Sequence, residues 1–206
     1  MPERQRRGFL LTMRVIAGKF RSRTLKALPG LVTRPTYDRL KETLFNVLGE
    51  LSGAVFIDLF AGTGSIGIEA LSRGASQVYF VESSQKAVRL IRENLAALGI
   101  GEGFEILPWP ASKALRQLDA RNLRCNYCFL DPPYQMQGAY EEALRLLAGS
   151  NLLAKGALVI AEHDKHFDPG DGMDALRRYR LLKQGESALS FYARGADDTQ
   201  LPDQPS

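Results

Sequence analysis

The chain has 206 residues, 45% of them hydrophobic and 24% charged. These shares are close to the ~45–50% and ~25% of globular proteins and exclude a wholly disordered, collagen-like or coiled-coil chain. The length suits one ordinary α/β domain with a small appendage. The longest apolar stretch near the N-terminus, Gly8 to Met13, is far too short for a membrane span and has no small-residue cleavage site, so a cytoplasmic protein without membrane contact is expected.

The formal net charge of +4 is unevenly spread: residues 1–50 hold 11 basic and 4 acidic side chains, net +7, while the remainder holds 16 and 19, net −3. Arg14, Lys19, Arg21, Arg23 and Lys26 fall in one short run. Such a segment beside a near-neutral body is either a handle for a polyanion, most often nucleic acid, or a merely solvated terminus. Arg14 to Leu28 alternates loosely and predicts a small β-hairpin or arm, broken by Pro29 and Gly30. Met13 is itself a candidate start residue, which would make the first twelve residues dispensable. From Pro35, apolar residues recur at helical spacing (Leu40, Leu44, Val47, Leu48, Leu51), with Pro35 placed to open a helix and Gly53 to close it.

The next hundred residues alternate short apolar runs with amphipathic segments. Strands are predicted at Ala54–Leu59, Gln77–Val81, Phe104–Leu107, Tyr127–Leu130 and Ala157–Ala161. Helices are predicted at Gly64–Ser72, Ser84–Leu98, Ser112–Leu118 and Ala139–Leu147. This rhythm predicts an α/β fold with a mostly parallel sheet covered by helices on both faces, ligands lying where strand C-termini open into loops. Tyr179–Lys183 and Ala188–Arg194, joined at Gln184–Glu186, predict a hairpin on one sheet edge. The expected division is an N-terminal extension and basic hairpin arm over 1–33, one catalytic domain over 34–195, and a disordered tail over 196–206. Cys125 and Cys128 form a CxxC without a second pair, and Cys128 sits in an apolar run, so their role is structural. His163 and His166, the only histidines, lie on a polar stretch that reads as a loop. No metal site is expected.

The first strand turns into Ala61 Gly62 Thr63 Gly64 Ser65 Ile66 Gly67, which contains GxGxxG. That pattern normally admits a pyrophosphate against a helix N-terminus. Here Asp58 precedes the glycines, and its charge would oppose phosphates but favour a cation. S-adenosylmethionine is such a ligand, carrying an ammonium and a sulfonium. Glu82, after the second strand, can accept both ribose hydroxyls of this cofactor or of NAD alike. The fourth strand ends in Asp131 Pro132 Pro133 Tyr134. Two prolines fix an extended backbone and leave carbonyls free beside the Asp131 carboxylate, acceptors suited to an NH₂ group, while Tyr134 offers a face on which a planar base can stack.

The glycine loop and the Asp131–Tyr134 turn resemble class I S-adenosylmethionine-dependent methyltransferases acting on exocyclic amines of nucleobases, which implies a Rossmann-like, seven-stranded sheet. More narrowly, Arg14–Gly18, Arg34 Pro35 Thr36 with Arg39, Glu42–Asn46 and Glu69–Ala75 resemble the RsmD family, whose members methylate guanine N2 in bacterial small-subunit (16S) ribosomal RNA. The resemblance spans roughly Met13 to Arg194. It implies that Asp58, Phe60, Ala61, Gly62, Thr63, Gly64, Gly67, Glu82, Ser83 and Ala111 hold the cofactor, and that Asp131, Pro132, Pro133 and Tyr134 hold the base and carry catalysis. Arg14, Lys19, Arg21, Arg23 and Arg34 would grip RNA, within a small-subunit particle and with the enzyme as a monomer. One departure is Pro110, where such enzymes often carry an acid or amide for the adenine amine. Backbone groups and apolar contact from Ala111 or Trp109 are left to hold the adenine, and Trp109 is equally readable as a loop anchor.

Three rivals remain at this point. An adenine-N6 methyltransferase of DNA or RNA would use the same tetrapeptide. An NAD-dependent oxidoreductase explains the glycine loop alone, and a non-catalytic RNA-binding protein the basic arm alone.

Overall fold

The computed structural model describes residues 13–27 and 35–195. Arg34, the first twelve residues and the expected tail lie outside them. In chain order the elements are β1 (Met13–Arg14), β2 (Thr24–Leu25), α1 (Pro35–Leu48), β3 (Val55–Leu59), α2 (Ser65–Ser72), β4 (Gln77–Val81), α3 (Gln85–Ala97), β5 (Phe104–Leu107), α4 (Ala111–Ala120), β6 (Cys125–Leu130), α5 (Gly138–Gly149), β7 (Leu153–Asp164), β8 (Gly172–Met173), β9 (Leu176–Gln184) and β10 (Ser187–Arg194).

The main sheet runs β5-β4-β3-β6-β7-β10-β9-β8. Strands β5, β4, β3, β6 and β7 are parallel, and β10, β9 and β8 add antiparallel pairings at one side. The sheet therefore has eight strands rather than seven, the extra one being the two-residue β8 that covers one end of β9. Chain order reverses between β3 and β6, the switch point where open α/β sheets bind ligands beyond the strand C-termini.

Pleating sorts the strand residues into two cores. Phe56, Phe129, Ile160 and Phe191 pack with Leu40, Leu44 and Phe45 of α1, Ile66 of α2 and Ile91 of α3. Ile57, Leu59, Cys128, Leu130, Val159 and Ala161 pack with Leu115 and Leu118 of α4 and Leu144 and Leu147 of α5. This period of two, buried on both faces, is what a central parallel strand requires.

Two expectations about these elements change in the structure, and one about the cysteines stands. Helix α1 ends at Leu48, because Gly49 takes the left-handed conformation (φ 71°) that stops a helix, and Gly53 belongs to the turn before β3. Strand β7 begins at Leu153 and runs through His163, which is no loop residue: its ring is buried, with Nε2 2.9 Å from Ser190 Oγ of β10. Cys125 and Cys128 are both buried free thiols, and burial pushes the Cys125 thiol up to about 12, a value for a packing residue and not a nucleophile.

The basic arm is a hairpin, but its ladder is only Met13↔Leu25 and Arg14↔Thr24. What fixes it is a buried polar knot. Glu69 of α2 accepts the Ile16 and Ala17 backbone N–H groups at 2.7 and 2.9 Å. Lys41 of α1 donates to the Arg14 carbonyl (2.6 Å) and stands 3.5 Å from Glu69, both side chains fully buried. Arg73 closes the knot, its Nε 2.8 Å from Glu69. Gly18 (φ 80°) lies so close to α2 that a Cβ there would sit 1.8 Å from the Ser72 carbonyl oxygen. The Arg14–Gly18 motif thus docks the arm onto the body.

Candidate active site

At the C-terminal ends of β3, β4, β5 and β6 opens a cleft of about 880 Å³, within the ~300–1,000 Å³ range of small-molecule sites. One half is built by the glycine loop. After β3 the chain is forced through a left-handed Phe60 (φ 73°), a strained conformation for an aromatic residue, with Phe60 and Ala61 N–H groups both donating to the Val81 carbonyl (3.0 and 2.9 Å). Gly62 and Gly64 are also left-handed (φ 55° and 78°), and α2 starts directly after Gly64. Phe60, Ala61, Gly62, Thr63, Glu82 and Ser83 line the cleft. Glu82 accepts the Gly62 N–H at 2.8 Å on one oxygen and the Ser84 N–H at 2.7 Å on the other. Each oxygen keeps a lone pair for a ligand hydroxyl, so one carboxylate both shapes the loop and presents a diol acceptor.

Asp58, Gly64 and Gly67 stand behind this wall and not in it. The pleat turns Asp58 toward α2, where it is buried and its Oδ2 accepts the Gly67 N–H at 2.9 Å. Burial pushes its carboxyl up to about 7 against the lowering effect of that bond. Gly67 is a packing glycine: a Cβ there would lie 2.3 Å from the Phe80 ring. These residues shape the loop from behind.

The floor between the halves is Trp109, Pro110, Ala111 and Ser112. Trp109 lies in the cleft wall, with the Lys113 ammonium 4.9 Å from its ring centroid. Ser112, two residues after Pro110, also lines the cleft, a polar residue that the missing acid or amide had obscured.

The other half belongs to the β6 turn. Asp131, Pro132, Pro133 and Tyr134 all line the cleft, Tyr134 with 67% of its surface exposed. Burial, with no hydrogen bond set against it, pushes the Asp131 carboxyl up to about 7. The two proline carbonyls are not equivalent: Pro133 O accepts the Met136 N–H at 2.7 Å, which leaves the Pro132 carbonyl as the backbone acceptor. Tyr37 of α1 and Met13 of the arm also reach the cleft, as do Glu162 of β7 and Ser187 of β10. Thr63 Oγ1 donates to Met13 Sδ (3.4 Å), so the arm closes one end of the glycine loop.

Of the expected RNA-binding residues, Arg14, Lys19, Arg21 and Arg23 are exposed on the arm and do not line this wall, and Arg34 lies outside the described residues. Arg14 pairs with Asp38 (3.1 Å) and Arg23 donates to the Ala97 carbonyl (3.0 Å), so both also serve docking. Lys19 lies 5.4 Å from the Phe20 ring centroid, and Arg21 is exposed. Among the described residues no group of three or more His, Cys, Asp or Glu is placed to hold a metal ion, and no helix is long and apolar enough to cross a membrane.

The family model described as Conserved hypothetical protein 95 matches residues 13–193. Ribosomal RNA small subunit methyltransferase D of Escherichia coli strain K12 is 35% identical over 191 residues, covering 85% of this chain and 93% of that protein. The chain belongs to the RsmD family. The Haemophilus influenzae protein of the same name is 37% identical over 155 residues, covering 74% of this chain and 79% of its own length. A solved methyltransferase structure from Escherichia coli superposes with a TM-score of 0.77 at 30% identity, covering 89% of this chain and 98% of that one. The Thermus thermophilus 16S rRNA N2 G1207 methyltransferase RsmC, solved with AdoMet and guanosine, shares the fold at a TM-score of 0.69 and 20% identity over 89% of this chain and 50% of that one. The Rossmann-like methyltransferase architecture expected from the glycine loop is the one this RsmD-family chain adopts.

Proposed function

We propose that the chain transfers a methyl group from S-adenosylmethionine to the exocyclic N2 of a guanine in small-subunit (16S) ribosomal RNA, acting in the cytoplasm as a monomer on RNA within a small-subunit particle. The observation that carries this reading is the meeting, in one cleft, of a diol-accepting Glu82 beside a glycine loop and a desolvated Asp131 beside an aromatic Tyr134. Family membership supports the RNA substrate.

When bound, S-adenosylmethionine supplies a methyl group activated by its sulfonium and departs as the thioether. The residues of the chain do the rest. Glu82 would hold the ribose hydroxyls, the Phe60–Thr63 turn would bring backbone against the methionine portion, and Trp109, Ala111 and Ser112, which line the same cleft, would frame the adenine. Tyr134 stacks on a guanine taken out of its helix. The ionised Asp131 carboxylate and the Pro132 carbonyl accept the two N2 hydrogens, which fixes the nitrogen lone pair toward the methyl carbon. As the N–C bond forms, positive charge on nitrogen is stabilised by Asp131, whose carboxylate then receives the proton that N2 sheds. A carboxyl group poised near pH 7 suits that task. Lys19 and Arg21 contact phosphates.

The test is transfer of labelled methyl from S-adenosylmethionine to unmodified small ribosomal subunits, naked 16S RNA and duplex DNA in parallel, with nucleoside mass analysis. N2-methylguanosine in RNA is the expected product. Label in adenine of DNA, or none in RNA, would overturn the proposal.

A further inference from the structure

Three apolar strand runs end on an acid: Val81 on Glu82, Leu130 on Asp131, and Ala161 on Glu162. The first two already have a place in the reading above, and the third has none. Strands β6 and β7 are parallel with Leu130 opposite Ala161, so Asp131 and Glu162 leave adjacent strands side by side, about 4.8 Å apart at the backbone. Phe129 and Ile160 face the α1 side of the sheet, and two residues further on the pleat sends Asp131 and Glu162 the same way. Glu162 is only 8% exposed, yet it lines the cleft between Asp131 and Ser187. The Ser187 side chain hydrogen-bonds to it from β10, while the Tyr140 hydroxyl pins its backbone carbonyl at 2.7 Å. Glu162 thus meets the cleft beside Asp131, with Tyr37 of α1 close enough to feel both carboxyls, and a donor on a bound base can reach it there.

We infer that Glu162 is the residue that selects guanine, its carboxylate accepting the N1–H of the base while Asp131 accepts from the neighbouring N2 amine. The inference rests on the function proposed above and adds the group that reads the base. Guanine offers N1–H and N2–H donors side by side. Adenine offers an amine beside an N1 lone pair, which an ionised Glu162 faces with no proton between them but a neutral Glu162 can meet with its own O–H, so the selection belongs to the ionised carboxylate. Sites built to hydrogen-bond a substrate group reject analogues lacking it, because a buried polar atom is then left unpaired. Burial and the neighbouring Asp131 both raise the carboxyl pKa of Glu162, and an N1–H donated into it favours the ionised form again. Entry of the right base and charging of the site thus support each other.

The test uses 2-aminopurine, which keeps the 2-amino nucleophile but has an N1 lone pair where guanine has N1–H. Small subunits are reassembled with 16S RNA carrying either guanine or 2-aminopurine at the position that mass analysis shows to be methylated. At mildly alkaline pH, where Glu162 is ionised, wild-type enzyme should prefer guanine by roughly 100-fold in kcat/KM, the scale of a good base-edge contact, and the preference should shrink as pH falls and the neutral acid donates to the N1 lone pair. In Glu162→Gln the amide can donate to the N1 lone pair, and the preference should fall to within about tenfold. S-adenosylmethionine affinity should stay within about twofold, which reports an intact fold. An E162Q preference equal to that of wild type, or a wild type that does not discriminate, overturns the inference while leaving the methyltransferase reading in place. A wild-type enzyme that methylates no guanine overturns both.

Discussion

The two halves of the cleft treat their carboxylates in opposite ways. On the glycine-loop side, both oxygens of Glu82 are already engaged by backbone N–H groups at 2.8 and 2.7 Å, so the acid is held in place before any ligand arrives. On the β6–β7 side, Asp131 is desolvated with no bond offsetting the burial, and Glu162 stands next to it in the same condition apart from Ser187. A group that only binds gains from being fixed in advance. One that must take up a proton or discriminate between bases gains from being left unsatisfied until the substrate enters.

The contrast can be broken or sharpened by four measurements. The largest effect is expected from Glu82→Ala, which removes the diol acceptor and frees the Gly62 and Ser84 N–H groups. S-adenosylmethionine affinity should fall roughly 100-fold by calorimetry, with kcat at saturation changed far less. The second is pH. Asp131 is ionised only above about 7, so transfer should slow about tenfold per unit as pH falls below that value. The same shift has a stability counterpart. Asp58 and Asp131 have folded-state values of about 7, raised from 3.8, so the stability linked to their neutral forms is full at low pH and is lost as pH rises through 7. Melting temperature of the free protein should therefore climb between about pH 8 and pH 5. A fall over that range would contradict the buried-acid description. Third, the double variant Lys19→Ala, Arg21→Ala should weaken RNA binding about fivefold and flatten its dependence on salt by about one unit of slope for each phosphate that is no longer neutralised. The smallest effect, about threefold on cofactor affinity alone, is expected for Ser112→Ala, which removes a polar residue from the wall beside Trp109 and Ala111.

Most of the fold was legible because buried parallel strands leave continuous apolar runs, as at Phe56–Leu59 or Phe129–Leu130. What was not legible has a common cause: charged residues buried by long-range contact look like solvated ones in the sequence. Lys41 and Glu69 sit at helical positions that read as surface, yet they form the knot that docks the arm. Removing Glu69 would strand a buried lysine at a cost of about 3–5 kcal/mol. His163 read as a loop residue because its neighbours are polar, although β10 covers it. The eighth strand escapes a sequence reading because Gly172–Met173 is too short to carry any pattern. At the site, the glycine loop and the Asp131 turn were readable from local chemistry. Asp58, however, read as a cleft residue because its place before the glycines says nothing of the pleat that turns it toward α2. Glu162 did leave a signal, an acid closing an apolar run as Glu82 and Asp131 do, but only the pairing of β6 with β7 gives that acid a neighbour.

The division of labour in the cleft is tested most directly by Asp131→Asn, assayed for cofactor binding and for methyl transfer on the same preparation. The account predicts S-adenosylmethionine affinity within about twofold of wild type and transfer to small subunits reduced by roughly 10²–10³-fold. A variant that loses cofactor binding, or one that transfers at the wild-type rate, would contradict it.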